Sequence, residues 1–98
     1  MAIKLKKWDS AEHLKTEEDI ARYWEACLEE GGEDPAFITA ALANIARARG
    51  MTTLARETGL TREGLYKALS PGGNPEFATV MKVIRALGLE LRGAPARG

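Results

Sequence analysis

The stretch Met51 to Leu69, MTTLARETGLTREGLYKAL, places Gly59 between two runs of helix-forming residues, where one continuous helix would be penalised. Read instead as two short helices, it becomes consistent throughout. Ala55 lies four residues before Gly59, where a small side chain lets two helix backbones cross closely, and Leu54, Leu60, Leu65 and Leu69 supply apolar packing on the inner side. Gly59 is expected to take the left-handed conformation that ends the first helix. Thr61 is expected to cap the second by accepting from the amide of Glu63 or Gly64. Left outside are Thr61, Arg62, Glu63, Tyr66 and Lys67. An ordinary helical hairpin also needs a glycine at its turn. Hydroxyl, basic and aromatic groups gathered at the start of the second helix favour a helix-turn-helix, whose second helix reads a DNA groove mainly with its N-terminal residues.

The remaining chain reads as helices separated by strong punctuation. Asp9 and Glu12 stand at capping-box spacing, followed by Thr16 and Asp19, so a short helical turn leads into a helix from about Glu17 to Glu30. Its apolar stripe is Ile20, Trp24, Cys27 and Leu28, and Gly31 and Gly32 end it. Asp34 with Pro35 opens an alanine-rich helix whose face of Ile38, Leu42, Ile45 and Arg49 runs to Gly50. Thr52 is expected to cap the next helix, which ends at Thr58, and the reading helix spans about Arg62 to Ser70. The run Ser70-Pro71-Gly72-Gly73-Asn74-Pro75 is a loop. Asn74 and Pro75 repeat the cap and first-turn proline pattern before a helix lined by Phe77, Val80, Val83, Ile84 and Leu87. Leu89 and Leu91 alternate with Glu90 and Arg92, as Ile3 and Leu5 alternate with lysines, so a short pairing of terminal strands is conceivable. The expected fold is all-α, with five or six helices in one domain. Residues 1–33 form an N-terminal extension with the acidic helix, 34–92 the helix-turn-helix core and 93–98 a flexible tail.

Length and composition bound the function. Ninety-eight residues with 45% hydrophobic content suit one small domain with a modest core. The single cysteine, Cys27, falls on an apolar helix face and reads as a small core residue in a reducing compartment. No apolar run is long enough to span a bilayer, and the N-terminus lacks the apolar region of a signal peptide, so a cytoplasmic protein away from membranes is expected. An enzyme is disfavoured. The one histidine, His13, lies on a charged stretch with no nucleophile motif, metal-ligand cluster or phosphate-binding glycine loop, so neither metal nor other cofactor is expected.

A formal net charge of zero counts at first against nucleic acid, which normally selects a basic footprint. The distribution answers this. Residues 1–8 carry Lys4, Lys6 and Lys7; residues 9–34 carry ten acids against Lys15 and Arg22; residues 35–98 carry nine bases against Glu57, Glu63, Glu76 and Glu90. The groove-reading part is therefore basic on its own, and the acidic segment before it is either a solvated helix face or a surface for a different partner.

With these residues laid out, the chain resembles the addiction-module antidote proteins, HigA-type antitoxins with a lambda-repressor-like helix-turn-helix. The resemblance is carried by Trp8-Asp9, the acidic helix with Tyr23, ALANIARARGM at Ala41 to Met51, LARETGLTREGLYKALSPGGNPEF at Leu54 to Phe77, and VIRALGLEL at Val83 to Leu91. It implies an antitoxin of a type II toxin-antitoxin module that neutralises a RelE/ParE-like toxin and binds double-stranded operator DNA to repress its own operon. It further implies Thr61 as a cap facing phosphate, with Arg62, Glu63, Tyr66 and Lys67 facing base edges or backbone. The alternative for Tyr66 is packing back on the fold, and for Glu63 it is complementing the helix N-terminal charge alone. Thr52 and Thr53 would offer phosphate contacts at the start of the preceding helix, where many such repressors carry a glutamine that is missing here. Asn74 would either donate to a phosphate or simply cap a helix. Gly64, inside the reading helix, costs roughly 1 kcal/mol against alanine and reads no base.

The acidic residues Glu25, Glu29, Glu30 and Glu33 are the expected contacts for a basic toxin. A stand-alone helix-turn-helix regulator has no need of them; a repressor-fold interaction module without DNA binding is the other rival. One reading helix makes too few contacts alone, so a homodimer on a pseudo-palindromic operator is expected, with half-sites about 34 to 36 Å apart.

Overall fold

A computed structural model describes residues 14–96, which form five helices and, among the described residues, no strand. Helix α1, Glu17–Gly31, opens with a complete capping box: the Asp19 amide donates to Thr16 Oγ1 at 3.0 Å, and the Thr16 amide donates back to the Asp19 carboxylate at 3.2 Å. Two amides that a helix start leaves without partners are thereby satisfied. The helix buries Ile20, Trp24 and Cys27. Leu28, expected in that stripe, is 42% exposed. At 100° per residue it lies about 80° round from Ile20, on the edge of the apolar face. At that end of the helix the ring of Phe37 closes over Gly31.

Helix α2, Pro35–Arg49, begins as its sequence requires, with the Ala36 amide donating to Asp34 at 3.0 Å and Pro35 in the first turn. It buries Ala41, Leu42, Ala43, Ile45 and Ala46; Leu42 and Ile45 fill the core, and the three alanines let α1 and α3 approach closely. Helix α3, Met51–Thr58, starts two residues before the position a cap at Thr52 demands. Gly50 occupies the cap position instead, so Thr52 caps nothing. Gly59 then takes φ +77°, and the Thr58 hydroxyl donates to the carbonyls of Leu54 and Ala55, closing the first helix of the pair.

Helix α4, Arg62–Ala68, is capped by Thr61, which accepts from Gly64 at 2.9 Å. It stops before Ser70 because the chain tightens: the Ser70 hydroxyl donates to the Lys67 carbonyl at 2.8 Å and the Gly73 amide to the Ser70 carbonyl at 2.8 Å. Only glycine fits at 73, where a Cβ would lie 2.6 to 2.9 Å from three carbonyl oxygens. The backbone is still extended at Glu76, so helix α5, Phe77–Ala86, begins past the expected cap at Asn74 and the expected first-turn Pro75. Helix α5 buries Val83 and Ile84, with Leu87 just beyond, but Phe77 at its start is 68% exposed and not part of the core face.

One core joins all five helices, with Leu42, Ile45, Leu54, Leu65, Val83, Ile84 and Leu87 essentially solvent-free. Helix α3 is its hub, packing on α2, α4 and α5. The expected terminal strand pairing is not borne out: Leu89 to Arg92 form no strand, and Ile3 and Leu5 lie outside the described residues, as do His13 and the turn at Asp9 and Glu12. Among the described residues, no helix is long and apolar enough to cross a membrane.

Candidate nucleic-acid interface

Helix α4 is held from beneath by Leu65 and, just past its end, Leu69, both buried against α3 and the core. An α-helix with one buried stripe must turn its other residues outward. Thr61, Arg62, Glu63, Tyr66 and Lys67 are accordingly all exposed, so five of the expected residues share one short surface. Tyr66, for which inward packing was an open alternative, is 46% exposed. Its ring lies under the Arg62 guanidinium, whose carbon is 5.4 Å from the ring centroid, and Arg62 Nη2 donates to the Tyr66 hydroxyl at 3.5 Å. Stacking of this kind limits the wandering of a long side chain and leaves its outer donors available. Glu63 sits in the first turn, where a carboxylate complements the helix dipole.

The other expected DNA contacts lie on other elements. Thr52 is exposed and Thr53 half-buried at the start of α3, on the other side of the Gly59 turn. Asn74 is exposed in the α4–α5 loop.

A second polar feature escapes sequence reasoning. Asn44 Nδ2 donates to the Tyr23 hydroxyl at 2.9 Å, tying α2 to α1, and Arg47 donates to Asn44 Oδ1. Arg47 and Asn44 also line a groove of about 310 Å³ with Thr39, Leu69, Ser70 and Pro71, next to the end of α4. The i, i+3 spacing of Asn44 and Arg47 was the available signal, but their outward direction depends on how α2 is rotated against α1.

On α1 the expected acidic residues are all exposed but do not form one cluster. Glu25 and Glu29 are four apart on an outward stripe; Glu30 lies about 100° round from Glu29, and Glu33 is in the following turn. Arg22 pairs with Glu18 at 3.7 Å, both highly exposed, a contact worth little. The Asp19 carboxyl is held below its ordinary range, chiefly by the Thr16 amide, against a smaller opposing effect of burial, with help from the Lys15 amide, the Thr16 hydroxyl and the charge of Arg22. Cys27, 1% exposed, has its thiol pushed up by burial, which disfavours the thiolate. No three of the described His, Cys, Asp and Glu residues gather as metal ligands would.

A family model described as "Probable addiction module antidote protein" matches residues 4–95. A Haemophilus influenzae protein, itself described as "Uncharacterized protein", is 50% identical over 97 residues, which cover 99% of this chain and 98% of that one. No solved structure matches the chain significantly.

Proposed function

Because this chain belongs to the family of probable addiction module antidote proteins, we propose that it is the antitoxin of a type II module, neutralising a RelE/ParE-like toxin and repressing its own operon as a homodimer on operator DNA. In this reading α3 and α4 are a lambda-repressor-like helix-turn-helix and α4 is the recognition helix. The protein acts in the cytoplasm by binding, without catalysis. The observation that carries the DNA half is the cluster of Thr61, Arg62, Tyr66 and Lys67 facing outward from a helix braced by Leu65 and Leu69. Groove reading needs that combination, because side chains must reach base edges from a backbone that does not yield.

Arg62 is assigned to a base edge, since a guanidinium bonds guanine in bidentate fashion for about 1 to 3 kcal/mol of discrimination. Lys67 is assigned to phosphate, where its contribution is Coulombic and falls with salt. Thr52, Thr53 and Asn74 are assigned to flanking backbone contacts. For the toxin half, Glu25 and Glu29 present an anionic stripe suited to a basic protein surface, with Glu30 and Glu33 at its margins.

The test separates the two halves. Arg62→Ala with Lys67→Ala should weaken binding to the operon's own promoter by at least about tenfold in a gel shift at fixed salt, while the coexpressed toxin still copurifies. Glu25→Lys with Glu29→Lys should do the reverse. Unchanged DNA affinity in the first variant would reject α4 as the reading surface.

A further inference from the structure

Two arginines close helix α2, and the fold treats them differently. Arg49 is half-buried and pairs with Glu57 at 3.6 Å, so its charge is answered within the molecule. Arg47 is exposed, and among the described residues no carboxylate pairs with it. What holds it is neutral. It donates to Asn44 Oδ1, while Asn44 Nδ2 donates to the Tyr23 hydroxyl at 2.9 Å. Because Tyr23 engages the amide nitrogen, the amide oxygen is the atom left for the guanidinium. The chain from α1 through Asn44 therefore orients a cation without neutralising it, and Asn44 occupies only part of a five-donor fork.

The position of this cation selects its ligand. Arg47 stands in one wall of the groove of about 310 Å³ whose other wall is Leu69, Ser70, Pro71 and Gly72, the residues that follow α4. Among the described residues lining it, Arg47 alone is charged. A helix about 10 to 12 Å across fills a major groove about 12 Å wide, so the sugar-phosphate strands pass close beside its ends and flanks. The chain just past α4 is such a place. At Gly72 nothing lies within 4 Å of where a Cβ would stand, which leaves room for a strand to come near. A phosphodiester is also the anion that a planar guanidinium fork matches.

We infer that Arg47, positioned by Asn44 and Tyr23, binds a backbone phosphate of the duplex that α4 enters, so that the DNA surface extends onto α2. The inference rests on the DNA half of the proposed function.

Titration of the full-length chain with the operon's own promoter duplex, and with an unrelated duplex of equal length, tests it at several salt concentrations, with circular dichroism to verify helix content. A phosphate contact carries no sequence information, so Arg47→Ala should weaken both duplexes by a similar factor, about tenfold at low salt. It should also reduce the slope of log affinity against log salt by about 0.9 for each chain bound. Arg47→Lys keeps the charge and should restore that slope. Asn44→Ala should weaken binding about threefold at an unchanged slope, and should add nothing in the Arg47→Ala background; an effect that persists there would overturn its positioning role. Wild-type affinity and slope in Arg47→Ala, with Arg62→Ala and Lys67→Ala still defective, would overturn the α2 contact and leave α4 as the reading surface. Loss of toxin copurification by Arg47→Ala with DNA binding intact would overturn it in favour of a protein at this groove. A wild-type chain that binds neither duplex would overturn it together with the DNA half of the proposed function.

Discussion

The Thr61 hydroxyl, two residues past the left-handed turn at Gly59, receives the Gly64 amide at 2.9 Å. Alanine at an interior helix position is normally about 1 kcal/mol better than glycine. At position 64 the added methyl would sit 2.9 Å from Thr61 Oγ1, so the cap must shift to admit it. Losing that cap costs about as much as the propensity gains, and Gly64→Ala should leave stability within about 0.5 kcal/mol of wild type. A denaturant titration showing a gain of a full kcal/mol would mean that the cap is indifferent to the residue at 64. The Thr61 cap was legible because its partner lies three residues away in sequence. The caps assigned to Thr52 and Asn74 fail for the converse reason: their helices begin at Met51 and Phe77, and those starts are set by Gly50 and by the turn at Gly73.

For helix α1, the start is also a titrating device. The Asp19 carboxyl is depressed in the folded chain, so its contribution to the helix is fully present above the ordinary carboxylate value of 3.8 and is lost as pH falls through its lower folded value. The Thr16 amide resonance should titrate together with Asp19, with a midpoint below 3.8, and Asp19→Asn should abolish that step. A midpoint at or above 3.8 would contradict the capping box. Helices α1 and α2 are legible from the chain because glycine, aspartate and proline mark their ends, and a 3.6-residue period marks their inner faces. The period alone misplaces Leu28 and Phe77. Both obey it, yet Leu28 lies at the edge of the buried face of α1 and Phe77 in the first turn of α5, and how far a neighbour covers such a face is a tertiary quantity. The alternation at Leu89 to Arg92 was too short to distinguish a strand from an irregular tail.

Across the whole molecule, the surface assigned to DNA depends on a core it does not touch. Leu65 is fully buried beneath α4, and shortening it leaves a void against α3 rather than a new surface. Leu65→Ala should cost about 2 to 5 kcal/mol, a large share of the stability of so small a domain, and lower the thermal midpoint accordingly. A change below 1 kcal/mol would show that α4 is not braced as described. The candidate interface was largely legible at this scale, since charge segregation and the leucines of the inner face already separate outside from inside. The groove beside Arg47 was not, because it joins residues 36–47 to residues 69–72.

Cys27 gives the molecule a built-in clock. It is the sole sulfhydryl in 98 residues, 1% exposed and disinclined to ionise, so an alkylating reagent added in excess must wait for α1 to lift away from α2. When reclosing outruns chemistry, the labelling rate divided by that of an unfolded reference reads the free energy of that separation directly. Binding of an antagonist to the outward side of α1 would then register as slower alkylation at a site the antagonist never reaches.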